Sequence, residues 1–574
     1  MTEFERILAR RIRQAKGEEP ADFVIRNATV FDLATGALLP GDIAITGDTV
    51  VGIGERYDGA DILDADGLVA VPGYIDSHVH VESSLVTPFE FERMVLPRGV
   101  TAAFCDPHEL ANVAGTRALD YFFDSAAKMA MDLFLQLPGC VPATPFETAG
   151  AELSAADLAP YRGRSDVPGL AEMMNVPGVL CGDPGVLEKL ALFEDRNIDG
   201  HAPLLSGRAL NAYLAAGIRN CHETDTRAEA EEKLRRGMAV MLREGSAGRN
   251  LDRLLPLLTV AVSPFLLFCT DDRNPADIRS EGHIDAMVRR ALAAGCEPLA
   301  VFRAGSWSAA RAFRLFDRGL VAPGYRADIV LLDGLRSANV LHVIRNGRRV
   351  TEALFASRPE PPSAAAFAGS VRCGRIAPEK LAVKGAAEKF PVIAVRDGTL
   401  MTGAEMHRLP HENGVLRPDP ERDILKCAVV HRHGRNTNAG AGFVRGFGLT
   451  RGALASSVGH DSHNLCAVGV SDAEIAFAFD ALAAAGGGFV AAAEGRVLAL
   501  LPLPVGGLMS DRPWPEVAAQ LGQVIAAARS LGCPLHEPFQ ALAFLPLPVI
   551  PHLRLTDRGV FDVDRMEFLT EGSK

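Results

Sequence analysis

Between Pro72 and about Gly319, short apolar runs alternate with stretches of helical periodicity, and they do so eight times. The runs are VPGYIDSH, GVTAAFCDP, DLFLQLPG, VPGLAEMM, NIDGHAP, GIRNCHE, GMAVMLREG and PFLLFCTDD, with helical segments such as AEAEEKLRRG and HIDAMVRRALAAG among them. Apolar runs bounded by Gly and Pro read as buried strands, and each following helical stretch supplies the crossover a parallel neighbour requires. Eight such units in about 250 residues match the size and period of a (β/α)8 TIM-like barrel. In such a barrel chemistry sits at the C-terminal ends of the strands, so the residues that close these runs deserve the first look.

On either side of this region the texture changes. From Asp22 to Val71 β-branched runs separated by Gly and Asp turns predict a small antiparallel sheet, and a matching block returns from Gly324 to Val350. One β-rich module closing around an inserted domain is expected. The fold class is therefore α/β, a barrel with a small β-sandwich formed by flanking segments and a C-terminal α+β domain. The boundaries are a helical extension over 1–21, sandwich segments 22–72 and 320–355, a barrel over 73–319, and a C-terminal domain over 371–574 after the Pro/Ala-rich stretch SRPEPPSAAAFAGS.

Composition narrows the ligands. A formal charge of −12 over 574 residues offers no positive field for polyanions, so nucleic acid and anionic membranes are poor partners and small molecules better ones. The first twenty residues mix Arg and Glu without a secretory apolar stretch, and LLPLLTVAVSPFLLF is broken by prolines and too short to span a bilayer. Ten cysteines without a CxxC pair fit reduced thiols, and a cytoplasmic location is expected.

The polar residues gather at the ends of the runs. His78 and His80 close the first as HVH, His201 the fifth, His222 the sixth and Asp271 the eighth. Alternate residues on a strand share a face, so the HxH pair aims both imidazoles at one point. A lone histidine is more often a hydrogen-bonded core residue, but four with an aspartate at strand ends point to metal. Imidazole with carboxylate suits Zn, Mn or Fe, and a bridging carboxylate permits two ions. Glu172 on the fourth run and His108 after the second are further candidates for proton transfer or the second metal; an unpaired Glu172 among apolar neighbours would be costly. Arg243 and Glu244, closing the seventh run, are expected to pair with each other.

The pattern PGYIDSHVH, His201, His222 and Asp271 resembles the amidohydrolase superfamily. The strings HVHVESS, CDPHEL, CHETD, TDDRNP and GHDSHN look like its bacterial adenine deaminases, over nearly the whole chain from Asp22. The resemblance implies hydrolytic deamination of adenine to hypoxanthine and ammonia, a metal-activated hydroxide attacking C6. It implies a binuclear divalent centre held by His78, His80, Glu172, His201, His222 and Asp271, with Mn or Fe favoured and Zn possible. Where other members carry a lysine on the fourth strand this chain has Glu172, so a carboxylate is the better bridge. Asp271 is the first choice to accept the water proton, Glu172 either the bridge or the donor to a ring nitrogen, and His108 a stabilising or orienting group. A homodimer is expected. The alternative is another cyclic-amide or N-acyl hydrolase on the same barrel.

The deaminases with a PCxxC zinc signature are excluded because that string is absent, as is a P-loop. The glycine-rich segment near Gly440 reads as a turn between strands. In the C-terminal region His460, Asp461 and His463, with His431 and His433 upstream, suit a subsidiary metal, a lid over the barrel mouth or a polar interdomain turn.

Overall fold

The computed structural model describes residues 2–385 and 389–570; Met1 and residues 571–574, at the ends of the first and last expected domains, lie outside it, as do 386–388. All eight expected strands form: Tyr74–Val79, Val100–Cys105, Asp132–Leu135, Gly169–Met173, Asn197–Gly200, Asn220–Cys221, Ala239–Arg243 and Leu266–Cys269. The first three pair in parallel, as do the last five. Parallel bridges between Leu137 and Leu170 and between Val79 and Asp271 join the two sets into one closed barrel. Its strands are buried on both faces, which is why they read as continuous apolar runs rather than alternating ones.

The flanking segments meet in one eight-stranded sheet. Val69–Pro72 pairs antiparallel with Ile329–Leu332, so chain from before the barrel is stitched to chain from after it. Ile25, Ile43 and Ile45 share a core with Ile329, Leu331 and Ile344. The pairing is not all antiparallel as the turns suggest: Ala21–Phe31 runs parallel to both Gly59–Asp64 and Val69–Pro72. The short linkers between those runs cross over without hairpin geometry, which the residue pattern cannot reveal.

The C-terminal region builds a second eight-stranded sheet from Phe390–Ala394 to Arg496–Pro502, backed by helices Asp472–Ala485 and Trp514–Ser530. The glycine-rich segment is a correction. Ala439–Arg445 is a strand, paired with Leu425–Val430, and not a turn. Glycine is needed at 440 because a Cβ there would lie 2.0 Å from the Thr556 carbonyl oxygen of a crossing strand. This domain lies over the barrel: Asn464 Nδ2 donates to Thr148 O at 3.1 Å, Ser510 N to Leu85 O at 2.8 Å, and Asn274 Nδ2 to Glu537 Oε2 at 3.2 Å. All ten cysteines are free. Among the described residues no helix is long and apolar enough to cross a membrane.

Candidate active site

The first barrel strand carries His78 at its end and His80 just beyond, and the pleat brings their Nε2 atoms within 3.2 Å. His80 Nδ1 lies 3.0 Å from the Asp106 carbonyl oxygen, which can only accept, so the proton sits on Nδ1 and the Nε2 lone pair faces the centre. Asp271 follows the eighth strand. Its backbone N–H donates to His78 O at 2.9 Å and its carbonyl accepts from His80 N at 3.2 Å, so this residue both closes the barrel and enters the site. It does so at φ +58°, a left-handed conformation that Asp tolerates better than most residues.

Asp271 Oδ1 lies 3.2 Å from His80 Nε2 and 3.5 Å from His78 Nε2. Glu172, from the fourth strand, divides its oxygens. Oε1 lies 3.4 Å from His80 Nε2 and 3.8 Å from His78 Nε2, whereas Oε2 lies 2.6 Å from His201 Nδ1 and 3.3 Å from His222 Nε2. The six residues thus converge on one buried centre, with Glu172 reaching both the His78–His80 pair and the His201–His222 pair. Donor separations of 3.2–3.8 Å around His78, His80, Asp271 and Glu172 are those of ligands about 2.1 Å from one shared ion. The donor set of imidazoles and carboxylates therefore fits divalent metal.

His108 is the first residue of helix His108–Ala114 rather than a loop residue. Asp106 Oδ2 accepts from its Nδ1 at 2.8 Å, and the same nitrogen stands 3.7 Å from Glu172 Oε1. Arg243 and Glu244 do not pair. Successive strand residues face opposite ways, so Glu244 meets Arg290 at 2.7 Å outside the barrel while Arg243 turns inward. Its Nη1 donates to Asp271 Oδ2 at 2.7 Å and to Glu223.

Charge follows from these contacts. Burial works against ionisation of Asp271, but Arg243 and His222 hold its pKa well below the carboxylate range. Burial likewise opposes a charged Glu172, and His222 and His201 reverse that. Burial lowers His222, while Glu172 and Asp271 outweigh it and raise the pKa to about 9. Burial and the neighbouring Asp271 push Asp272 up to about 6.

The sequence reading missed several supporting groups. Asp76 accepts from Thr270 Oγ1 at 2.6 Å and stands 2.8 Å from His283 Nε2, tying the first strand to the eighth. Asp106 orients both His80, through its carbonyl, and His108, through its carboxylate. Asp199 takes Asn220 Nδ2 at 2.6 Å, and its Oδ2 lies 4.0 Å from His78 Nδ1. A signal for the first two was present: each precedes a site histidine by two, and an acid inside an apolar run needs a partner.

Residues 69–350 match the family profile described as the amidohydrolase family, and residues 399–567 match the adenine deaminase C-terminal domain. The chain is 56% identical over 563 residues to an adenine deaminase of Methylobacterium nodulans, covering 98% of this chain and 99% of that one. It is 55% identical over 566 residues to an adenine deaminase of Gluconobacter oxydans, covering 98% and 100%.

Proposed function

Since the chain belongs to the adenine deaminase family of the metal-dependent amidohydrolases, we propose that this barrel hydrolyses adenine to hypoxanthine and ammonia, and that Glu172, His78, His80, His201, His222 and Asp271 would hold its divalent metal. The observation that carries the site assignment is the division of Glu172, one oxygen toward each histidine group. When bound, the divalent ions supply Lewis acidity that brings the pKa of water toward neutrality. Histidine and carboxylate donors together suit Mn or Fe, with Zn as the other ion of that class.

The chain's own groups take the remaining work. Asp271 presents Oδ1 to the centre while Arg243 fixes Oδ2, so an ionised, immobile carboxylate is ready to accept the proton of the attacking water and pass it to the departing amine. With both Glu172 oxygens engaged, the ring-nitrogen proton needs another donor. Asp272, which follows Asp271 and accepts from Ser83 Oγ, is the neighbouring carboxyl group for it. His108, held by Asp106, stands beside Glu172 to orient and stabilise. A cavity at the barrel mouth is bordered by Arg243, Glu223 and Thr224 of the barrel and by Leu400, Met401 and Ile550 of the C-terminal domain, a place for the base beside the donor groups. A small-molecule substrate, a cytoplasmic setting and a homodimer complete the proposal.

A substrate panel tests it. Purified Mn-loaded protein should release ammonia and hypoxanthine one for one from adenine and leave hydantoin-like and imidazolone rings closed. Ring opening of a cyclic amide with adenine untouched would transfer the site to the alternative reaction.

A further inference from the structure

A second cluster of buried donors sits where the C-terminal domain meets the barrel. Glu109, next to His108 on the helix after the second strand, faces the segment Ser457–Asn464 of the C-terminal domain. Glu109 Oε1 lies 3.3 Å from His108 Nε2 and 2.6 Å from His460 Nδ1, and its other oxygen meets His463 Nε2. Asp461 Oδ2 lies 3.8 Å from His108 Nε2. Every one of these residues is at most 4% exposed.

The protonation pattern follows from the partners. His108 Nδ1 lies 2.8 Å from Asp106 Oδ2, and its buried Nε2 has no hydrogen-bond partner among the described residues. Asp461 Oδ2 is buried and unpartnered in the same way. His463 Nδ1 accepts from Gly459 N at 3.2 Å, so its Nε2 carries the proton and stands in contact with one Glu109 oxygen, while His460 Nδ1 contacts the other. Two imidazoles therefore hold Glu109 in place, as carboxylate ligands are commonly held. All ion pairs of Glu109 and Asp461 are with histidines; no Arg or Lys among the described residues compensates them. Two buried carboxylates with no Arg or Lys beside them are balanced only by titratable imidazoles, and the unpartnered His108 Nε2 is aimed between them.

We propose that His108 Nε2, Glu109 and Asp461 bind a third divalent metal ion of the Mn, Fe and Zn class, which clamps the C-terminal domain onto the barrel. The three donor atoms lie within 4.8 Å of one another, room for an ion and too little for a purine ring. One imidazole with two carboxylates is a donor set of that metal class, and His460 and His463 orient Glu109 from the C-terminal side. Because Glu109 belongs to the barrel and Asp461 to the C-terminal domain, the ion crosslinks the two, and its loss loosens their contact before either unit unfolds.

The test is metal content and anomalous scattering on the full-length protein reconstituted with Mn. Wild type should hold three equivalents per chain, with an anomalous peak between His108, Glu109 and Asp461 separate from the barrel pair. Glu109→Gln and Asp461→Asn should each hold two and lose that peak alone. The count rests on the barrel pair as its baseline, and the separate peak positions distinguish failure of one site from failure of the other. Two equivalents in wild type with no peak at Glu109 would overturn the proposal, showing that protonated imidazoles neutralise the cluster. A raised KM for adenine in Asp461→Asn with three metals retained would also overturn it, because the residue would then be a substrate contact. The wild-type anomalous map decides the matter even where a variant does not fold.

Discussion

Arg243→Gln isolates the electrostatic role of one buried guanidinium. Arg243 Nη1 stands 2.7 Å from Asp271 Oδ2 and also contacts Glu223, with the side chain almost wholly enclosed. At an effective dielectric near 20, a unit charge pair at that distance interacts by about 6 kcal/mol. Removing one partner of such a pair leaves uncompensated buried charge and costs roughly 3–5 kcal/mol. For a unit the size of this barrel that lowers Tm by about 6–20 °C. The kinetic signature is separate from the structural one. Arg243 is the largest influence keeping Asp271 ionised against burial, so without it the Asp271 pKa rises and the acid limb of kcat/KM for adenine moves to higher pH. Arg243→Lys keeps the charge and should return the limb most of the way, with lower stability because the fork geometry is lost. Ammonia release between pH 5 and 9 and a thermal melt supply both readouts. An acid limb at the wild-type position in Arg243→Gln, whatever the loss of rate, would refute the claim that Arg243 acts through Asp271.

Three further outcomes follow from the same geometry. Glu172→Gln removes the shared anionic group and should strip both barrel metals, as read by metal analysis; full metal content with only a slower rate would restore the proton-donor role instead. Asp271→Asn should keep the fold, because Asn tolerates the same positive φ and Arg243 retains Glu223, yet lose about 10²–10⁴ in kcat; near-normal kcat would remove Asp271 from the mechanism. His222 has its pKa raised to about 9 in the metal-free site and His80 is raised as well, so metal must displace protons below that pH, and the apparent Mn affinity should climb at least about tenfold per pH unit toward pH 9. Chelator competition across pH 6–9 measures this, and a flat profile contradicts it.

The barrel was legible because most of its strands are buried on both faces and punctuated by Gly or Pro, and because the polar residues ending the runs have no place in such strands except at a site. HxH spacing carried His78 and His80 directly, since a period of two fixes a shared face. What stayed hidden depends on neighbours distant in sequence. The parallel partners of Ala21–Phe31 are chosen by crossover paths, not by the residues of that strand. Gly440 reads as a turn residue, but its small size answers the backbone of Thr556, more than a hundred positions away. Arg243 and Glu244 look like a pair in one dimension and point to opposite sides of the barrel wall in three. Glu109 and Asp461 were invisible as a unit because one lies in the first turn of a barrel helix and the other belongs to a loop of a different domain.

The most direct test of the account is adenine turnover by protein stripped with chelator and then restored with Mn, following hypoxanthine, ammonia and bound metal on one sample. Stripped protein should show no turnover, and hypoxanthine and ammonia should form again in equal amounts as the barrel site fills. A filled barrel site that leaves adenine unchanged would contradict it.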